Sequence, residues 1–146
     1  MCRVIEGGSS FDDRGSVKFV NDFNFRDIKR FYQIENHKKG FIRAWHGHKN
    51  EAKYVYIPKG CALIGAVPMP DSRQDNESGN ELPRRFVLSS EKPQVLYIPT
   101  NYANGFMTLE DDTIVQFFST ATLQESLGDD LRFPYDKWDI WNSVYR

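Results

Sequence analysis

The feature that most constrains this fold is a succession of short strand-like segments separated by turn residues. Runs rich in β-branched and aromatic residues recur along residues 16–20, 31–35, 42–57, 61–67, 85–89, 95–99, 103–109 and 113–119. No helical period of three turns occurs before Thr120. This spacing predicts an all-β barrel or sandwich. Asp111-Asp112 is a tight-turn signal and predicts a hairpin between the last two strands.

The chain has 146 residues, which predicts one domain with a single hydrophobic core. We expect the barrel to span about residues 12–120 and a tail to span 121–146. The net charge of −1 offers no overall field to attract nucleic acid or a membrane surface. No apolar run approaches the roughly 20 residues that span a bilayer, and no signal pattern opens the chain. We therefore expect a cytoplasmic protein that binds neither nucleic acid nor membrane.

Three segments outside the predicted strands have distinct compositions. Residues 68–85 are polar and rich in proline and glycine, which predicts a long exposed loop. Residues 25–30 form a connector with room for one helical turn. The tail is polar up to Asp130 and then aromatic. We expect its rings to pack back onto the barrel or onto a second subunit; they are Phe133, Tyr135, Trp138, Trp141 and Tyr145.

The segment from Ile42 to Gly60 carries the most informative polar residues, because two of the three histidines lie two residues apart in it. On an extended strand, alternate side chains point to the same face. Ala44, His46 and His48 would share one face; the opposite face would carry Arg43, Trp45, Gly47 and Lys49. Paired imidazoles are costly to bury without a partner or a chemical role. Structural, metal-binding and acid–base roles are the alternatives.

A metal site is the first alternative, since His46-x-His48 can present two nitrogens to one ion. Together with Gly40 and Glu51, the pair resembles the first metal motif of the cupin superfamily. In the second motif, however, Asn104 stands where a third histidine ligand is expected. Asparagine is a poor ligand for transition metals, and two nearby lysines add positive charge. We therefore expect no metal and no other cofactor.

Acid–base chemistry without a metal is the favoured alternative. A neutral histidine can remove a proton from carbon next to a ketone when a cation holds the resulting enolate oxygen. His46 as the base and Lys53 as the enolate stabiliser have the required chemical types, with His48 as a further catalytic candidate. Burial and neighbouring cations would keep the histidine neutral.

Several motifs in order resemble the dTDP-4-dehydrorhamnose 3,5-epimerase family. They are Asp13-Arg14-Gly15, Asn36-His37, Arg43-Ala44-Trp45-His46, Ala52-Lys53-Tyr54-Val55 and the run from Ile98 to Phe106. The resemblance extends from about Asp12 to Trp141. It implies a single-domain cupin jelly roll that forms homodimers. It also implies a 4-keto-6-deoxy nucleotide sugar as substrate, without a cofactor.

The resemblance implies roles for individual residues. By position, His46 corresponds to the catalytic base and Lys53 to the lysine near the enolate. The substrate and its diphosphate are expected to contact Arg14, Asn36 and Arg43, because arginine binds phosphate oxygens in bidentate geometry. Tyr32, Tyr102 and Asn104 complete the expected substrate-binding set.

This chain departs from the family at the general acid. The family uses a tyrosine on the strand that corresponds to residues 115–119, and Phe118 stands at that position here. Phenylalanine cannot donate a proton. The candidates for a replacement acid are Tyr32, Tyr54 and Tyr102.

Residues 41–49 also resemble the 4-keto-sugar 3,4-ketoisomerases, whose x-His-x-His-Lys motif uses both histidines. The run from Arg30 to Ile34 is similar to their preceding strand, which carries a site tyrosine. The leading hypothesis is an epimerase of deoxysugar and polysaccharide biosynthesis. The alternatives are a 3,4-ketoisomerase of the same substrate class and a non-catalytic cupin that binds nucleotide sugars.

Overall fold

The computed structural model describes residues 1–70 and 81–142. The regular elements are β1 (Arg3–Glu6), β2 (Gly8–Asp12), β3 (Gly15–Phe19), β4 (Arg30–Glu35), β5 (Ile42–His48), β6 (Lys53–Lys59), β7 (Cys61–Pro68), β8 (Arg84–Ser89), β9 (Gln94–Ile98), β10 (Tyr102–Thr108), β11 (Ile114–Ser119), α1 (Leu123–Leu127) and β12 (Leu131–Arg132). Most of the loop predicted at 68–85, and the tail residue Tyr145, lie outside the described residues. The connector at 25–30 forms turns rather than a helix.

Two five-stranded antiparallel sheets form the body of the protein. The first sheet has the order β1-β9-β6-β11-β4, and the second has the order β12-β5-β10-β7-β8. Strands β2 and β3 pair only with each other, as a separate hairpin. This is the predicted all-β cupin jelly roll. The first sheet starts at β1, ahead of the predicted barrel start near residue 12, and β12 joins the second sheet from within the predicted tail.

The core lies between the two sheets and follows from the alternation of side chains along each strand. Strand β6 sends Val55 and Ile57 inward, and neither is more than 1% exposed. Strands β9, β11 and β7 add Leu96, Val115 and Ile64 to the same cluster. Burial of one such aliphatic side chain contributes about 1.5–3 kcal/mol.

The predicted hairpin at Asp111-Asp112 is wrong. Strand β10 pairs with β5 and β7 in the second sheet, whereas β11 pairs with β4 and β6 in the first. The turn therefore carries the chain from one sheet to the other, with Asp112 at a φ of 59°. Turn residues specify a reversal of the chain, but they do not specify which strands then pair. Each strand here has two other neighbours that bury its apolar side chains.

The aromatic tail covers the outer face of the second sheet. Trp45 on β5 is fully buried there, with ring centroids 5.3 Å from Trp138 and 5.2 Å from Trp141. Both Trp45 and Trp141 donate indole N–H bonds of 3.2 Å to the carbonyl of Tyr135. The prediction that the tail packs onto the barrel holds for these tryptophans, while the ring of Tyr135 is exposed.

A β-bulge in β5 changes which side chains face the core. His46 lies opposite Asn104 on β10, but Arg43 lies opposite Phe106, so β5 has one extra residue across this interval. The extra residue reverses the alternation, as bulges do. Arg43 therefore shares a face with His46, and its predicted placement on the opposite face is wrong. Gly105 sits against the bulge, where a Cβ would lie 2.9 Å from the Ala44 Cα.

Candidate active site

A cavity of about 290 Å³ opens between the two sheets and holds most of the predicted site residues. Its volume is near the lower end of the roughly 300–1,000 Å³ typical of small-molecule pockets. The residues that line it are Arg30, Tyr32, Ile34, Arg43, His46, His48, Lys53, Asn104, Phe106, Phe117, Ser126, Leu127, Asp130 and Arg132.

One wall of the cavity belongs to the second sheet and carries both histidines. His46 and His48 face the cavity together, as the alternation along β5 predicts. Asn104 lies next to them on β10, where its side-chain amide donates a 3.3 Å hydrogen bond to the carbonyl of His46. Arg43 joins this wall through the bulge. Its Nε donates a 2.7 Å hydrogen bond to Asn36 Oδ1, which leaves the outer nitrogens of the guanidinium for a ligand.

The opposite wall belongs to the first sheet and carries the lysine and a tyrosine. Lys53 is 7% exposed, and its Nζ lies 5.5 Å from the centre of the Phe117 ring. The Tyr32 ring stacks on Phe117 at 5.2 Å, because β4 and β11 place these two residues directly opposite each other. Arg30 also belongs to this wall, and its guanidinium carbon lies 4.8 Å from the centre of the Tyr32 ring. The site thus presents imidazoles on one side and a phenol and an amine on the other.

The segment from α1 to β12 closes the cavity from above. A capping box starts α1, in which the Thr122 hydroxyl and the Glu125 carboxylate each accept a backbone N–H of the other residue. Past the helix, the carboxylate of Asp129 accepts the backbone N–H groups of Lys49 and Asn50, both at 2.8 Å. These contacts anchor the segment to the connection that follows β5.

Exposure divides the cavity into a mouth and a floor. Arg43, Leu127, Asp130 and Arg132 are exposed and surround the mouth. The floor is buried and contains His48, Lys53, Asn104, Phe106 and Phe117. A ligand with a polar anionic part and a smaller neutral part would therefore place the anion near the arginines.

Burial and charge set the protonation of the site. Burial lowers the pKa of His46, and the nearby Lys53 and Arg132 lower it further. The pKa of His48 is also lowered, first by burial and then by Lys53. Burial lowers the pKa of Lys53, while Glu51 acts in the opposite direction. For Tyr32, burial followed by the charge of Glu51 raises the pKa to about 12. Both histidines thus favour the neutral form, and Tyr32 keeps its proton.

Three predicted site residues do not line the cavity. Asn36 is buried behind Arg43 and fixes it, as described above. Tyr102 packs at the edge of the core, opposite His48 on the neighbouring strand. Arg14 is on the β2–β3 hairpin with 87% of its side chain exposed, paired with Asp12. His46, His48, Lys53, Tyr32, Arg43 and Asn104 are the predicted residues that the fold brings together.

The position predicted for the missing general acid lies outside the cavity. Phe118 points to the outer face of the first sheet, where it contacts Phe23, Phe25 and Phe31. Its neighbour Phe117 faces the cavity instead. Of the three tyrosines considered as replacements, only Tyr32 lines the cavity; Tyr54 packs against Tyr97 on the outer face.

Several lining residues were not identified from sequence. Arg30 and Tyr32 are two residues apart on β4 and therefore point to the same face. The alternation of side chains alone could have placed Arg30 in the cavity. The Thr-x-x-Glu pattern at Thr122 could have revealed α1. Asp130 and Arg132 depend on β12 pairing with β5, a two-residue contact that carries no sequence pattern.

Residues 1–70 and 81–142 contain neither a metal-binding cluster nor a membrane-spanning helix. Within these ranges, no three His, Cys, Asp or Glu side chains converge in a way that could hold a metal ion. The described part of the chain also has no helix with the length and hydropathy needed to cross a bilayer.

Solved structures of known proteins share this fold. The epimerase of Sulfolobus tokodaii aligns with a TM-score of 0.75 and 24% identity, over 94% of this chain and 80% of its own. The epimerase of Bacillus anthracis, solved with TDP and PPi bound, aligns with a TM-score of 0.73 and 22% identity. This alignment covers 90% of this chain and 77% of the Bacillus chain. A 3,4-ketoisomerase from Helicobacter canadensis aligns with a TM-score of 0.69 and 17% identity. This alignment covers 97% of this chain and 98% of the Helicobacter chain. A search of curated proteins found no match.

The sequence itself matches a family profile over nearly its whole length. The profile of dTDP-4-dehydrorhamnose 3,5-epimerase covers residues 3–139, so it begins before the start predicted near Asp12 and ends just before the predicted end at Trp141. The cavity that holds His46 and Lys53 lies within this range, as do the two sheets that form it. The chain belongs to the dTDP-4-dehydrorhamnose 3,5-epimerase family.

Proposed function

We propose that this protein is a metal-independent isomerase that epimerises a 4-keto-6-deoxy nucleotide sugar. Members of its family are isomerases. The observation that carries the proposal is the pairing of His46 with a buried Lys53 across one cavity, with Tyr32 on the wall opposite the histidines. The proposed substrate implies a role in deoxysugar and polysaccharide biosynthesis in the cytoplasm.

The proposed reaction begins with removal of a proton from carbon next to the ketone. Neutral His46 takes this proton, and its lowered pKa favours the neutral form that the step requires. The electrons move to the ketone oxygen, where the Lys53 amine donates a hydrogen bond to the enolate. Such a donor contributes about 10²–10³-fold to the rate in comparable oxyanion sites.

Inversion of configuration requires a proton donor on the opposite face of the sugar ring. Tyr32 is on the wall opposite His46, and its pKa of about 12 keeps the phenol protonated. Its hydroxyl would return a proton to the carbon from that face. Tyr32 thus takes the role that Phe118 cannot fill, from the strand next to it.

The mouth of the cavity suits the nucleotide diphosphate. Arg43 and Arg132 are exposed there, and guanidinium groups bind phosphate oxygens in bidentate geometry. The cavity itself would then receive the sugar, with the ketone directed towards Lys53. Asn36 supports this arrangement by fixing Arg43, and Asn104 lies beside the sugar.

The alternative function is 3,4-ketoisomerisation of the same substrate class. It is favoured by His48, which lines the cavity in line with His46 and can move a proton between neighbouring carbons on one face. In this reaction an enediol forms between C3 and C4, and no donor on the opposite face is needed. The products therefore distinguish the two functions.

The test is incubation with dTDP-4-keto-6-deoxyglucose in deuterated water, followed by NMR of the sugar protons. We expect deuterium at C3 and C5 with inverted product if the protein is a 3,5-epimerase. Exchange at C3 alone would indicate a 3-epimerase or a ketoisomerase, which the identity of the new sugar separates. Absence of exchange with several nucleotide forms would contradict the proposed function and favour a binding protein.

We also propose that the protein is a homodimer. The outer face of the first sheet carries a continuous aromatic cluster of Phe23, Phe25, Phe31, Tyr54, Tyr97 and Phe118. Phe25 and Phe31 are 61% and 67% exposed, and exposed apolar clusters of this kind mark interaction surfaces. A second copy of the chain is the proposed occupant. We expect Arg14, on the exposed hairpin and away from the cavity lining, to contact the nucleotide bound by the partner copy in such a dimer.

Light scattering on a sizing column tests the dimer. We expect twice the chain mass for the parent protein and a shift towards the monomer for Phe31→Glu, because the charge must be desolvated in the interface. Val87→Glu is the matched control, since Val87 is 61% exposed on the second sheet. A monomeric parent protein, or equal effects of both variants, would contradict this interface.

A further inference from the structure

A buried carboxylate next to the cavity has no role in the chemistry described so far. Glu51 lies between β5 and β6, and its side chain is only 1% exposed. Carboxylates are rarely buried to this extent unless they are paired and hydrogen-bonded. Its partners therefore indicate what this residue does.

Both oxygens of Glu51 are held by hydroxyl groups. Ser119 at the end of β11 donates a 2.7 Å hydrogen bond to Oε1, and Ser126 of α1 donates a 2.8 Å hydrogen bond to Oε2. Arg30 Nη2 lies 3.6 Å from Oε1. The carboxylate thus connects the first sheet to the segment that closes the cavity, and its orientation is fixed from both sides.

The fourth neighbour of this carboxylate is His48. Its Nδ1 lies 3.4 Å from Glu51 Oε2 and donates a hydrogen bond to the backbone carbonyl of Asp129. Both groups facing Nδ1 are acceptors, so this nitrogen carries the proton in the neutral ring. Nε2 is then the nitrogen that can accept a proton from a ligand. No carboxylate among the described residues forms an equivalent pair with His46.

We propose that Glu51 is a positioning residue for proton transfer at His48. It keeps Nδ1 protonated, orients the ring, and stabilises the imidazolium that forms when Nε2 takes a proton from the sugar. The inference rests on the alternative function proposed above, 3,4-ketoisomerisation, because it assumes that His48 exchanges a proton with a 4-keto sugar. The same carboxylate–histidine arrangement supports proton transfer in serine hydrolases.

The proton balance is complete within the site. Nε2 of His48 takes the proton from a carbon next to the ketone, the C–H electrons form the enolate, and Lys53 donates a hydrogen bond to its oxygen. The imidazolium then returns the proton to the same carbon, or to the former ketone carbon once the C3 hydroxyl proton has moved to the C4 oxygen, and becomes neutral again. Glu51 remains ionised throughout and gains or loses no proton.

Several charged groups face His48 and determine how it titrates. Burial and the Lys53 amine of β6 lower its pKa, whereas Glu51 and Asp129 act to raise it. His46 is the titratable neighbour on the same strand, and Arg30 of β4 contacts Glu51 rather than the ring. Removing the charge of Glu51 leaves the lowering effects less opposed, so the pKa of His48 must fall further.

The test compares Glu51→Gln with Glu35→Gln, which changes an exposed carboxylate at the end of β4. Imidazole ¹⁵N and ¹H NMR follows each of the three histidines against pH without substrate, with His→Asn variants for assignment. We expect Glu51→Gln to lower the pKa of His48 more than that of His46. In turnover assays we expect a kcat about 10-fold to 100-fold lower, with the acid limb of the pH profile moved to lower pH. Glu35→Gln should leave the His48 pKa, kcat and the pH profile unchanged.

An unchanged His48 pKa in Glu51→Gln, or a lower kcat with an unmoved pH profile, would overturn the proposal and leave Glu51 a structural residue. Glu51→Asp retains the charge and is expected to keep the His48 pKa nearer that of the parent protein, which provides a second variant if the amide disturbs folding. The NMR titration needs no substrate. A shifted His48 pKa in a protein that turns over no keto sugar would therefore refute the proposed function separately.

Discussion

His46→Asn is expected to lower the rate of deuterium exchange into the keto sugar by about 10²–10⁴-fold, the usual contribution of a positioned general base. Asparagine is similar in size to one side of the imidazole but cannot accept a proton. His46 is half-buried on the cavity wall, with no side-chain hydrogen-bond partner among the described residues, so the substitution leaves no new buried group unpaired. The expected loss is therefore in kcat, with a smaller change in KM.

The matched control for this variant is His37→Asn. His37 is exposed in the turn after β4 and does not line the cavity, so its replacement should leave the exchange rate unchanged. His48→Asn separates the two reactions. An epimerase that uses His46 as its base should retain part of its exchange activity without His48, whereas a ketoisomerase that uses both histidines should lose it. Equal and measurable exchange by His46→Asn and the parent protein would rule out His46 as the base.

The sequence was sufficient to predict most of the strands and six of the residues that line the cavity, largely because both depend on local alternation. His46 and His48 share a face since they are two residues apart on β5, and Lys53 faces inward with the same parity as Val55. The family motifs added the catalytic interpretation, and the matching profile confirms the family itself. Core alternation and motif order are properties that one sequence displays directly.

The errors arose where long-range pairing overrides the local pattern. The bulge opposite Gly105 brings Arg43 to the cavity, but it depends on how β5 meets β10. The turn at Asp111-Asp112 is present, yet the two strands around it enter different sheets. Likewise, the buried role of Glu51 requires Ser119 and Ser126, which are 68 and 75 residues away along the chain. No local pattern in a single sequence reports such contacts.

Tyr32→Phe is expected to separate proton removal from inversion. The variant retains the ring that stacks on Phe117 and loses only the hydroxyl, so the wall of the cavity should keep its shape. His46 would still remove the proton and return it to the same face, which continues deuterium exchange. Inverted product should fall about 10²–10⁴-fold, the range for loss of a general acid. Both quantities come from one NMR time course in deuterated water.

Tyr54→Phe provides the matched control for Tyr32→Phe. Tyr54 also resides in the first sheet and contacts another aromatic ring, but it points to the outer face and away from the cavity. Its hydroxyl should be dispensable for both exchange and inversion.

Parallel losses of exchange and product in Tyr32→Phe would mean that the hydroxyl binds the sugar rather than donating a proton. Undiminished formation of inverted product would rule out Tyr32 as the acid. Undiminished formation of a 3-keto product would instead establish the ketoisomerase, in which both protons move on the histidine side of the cavity.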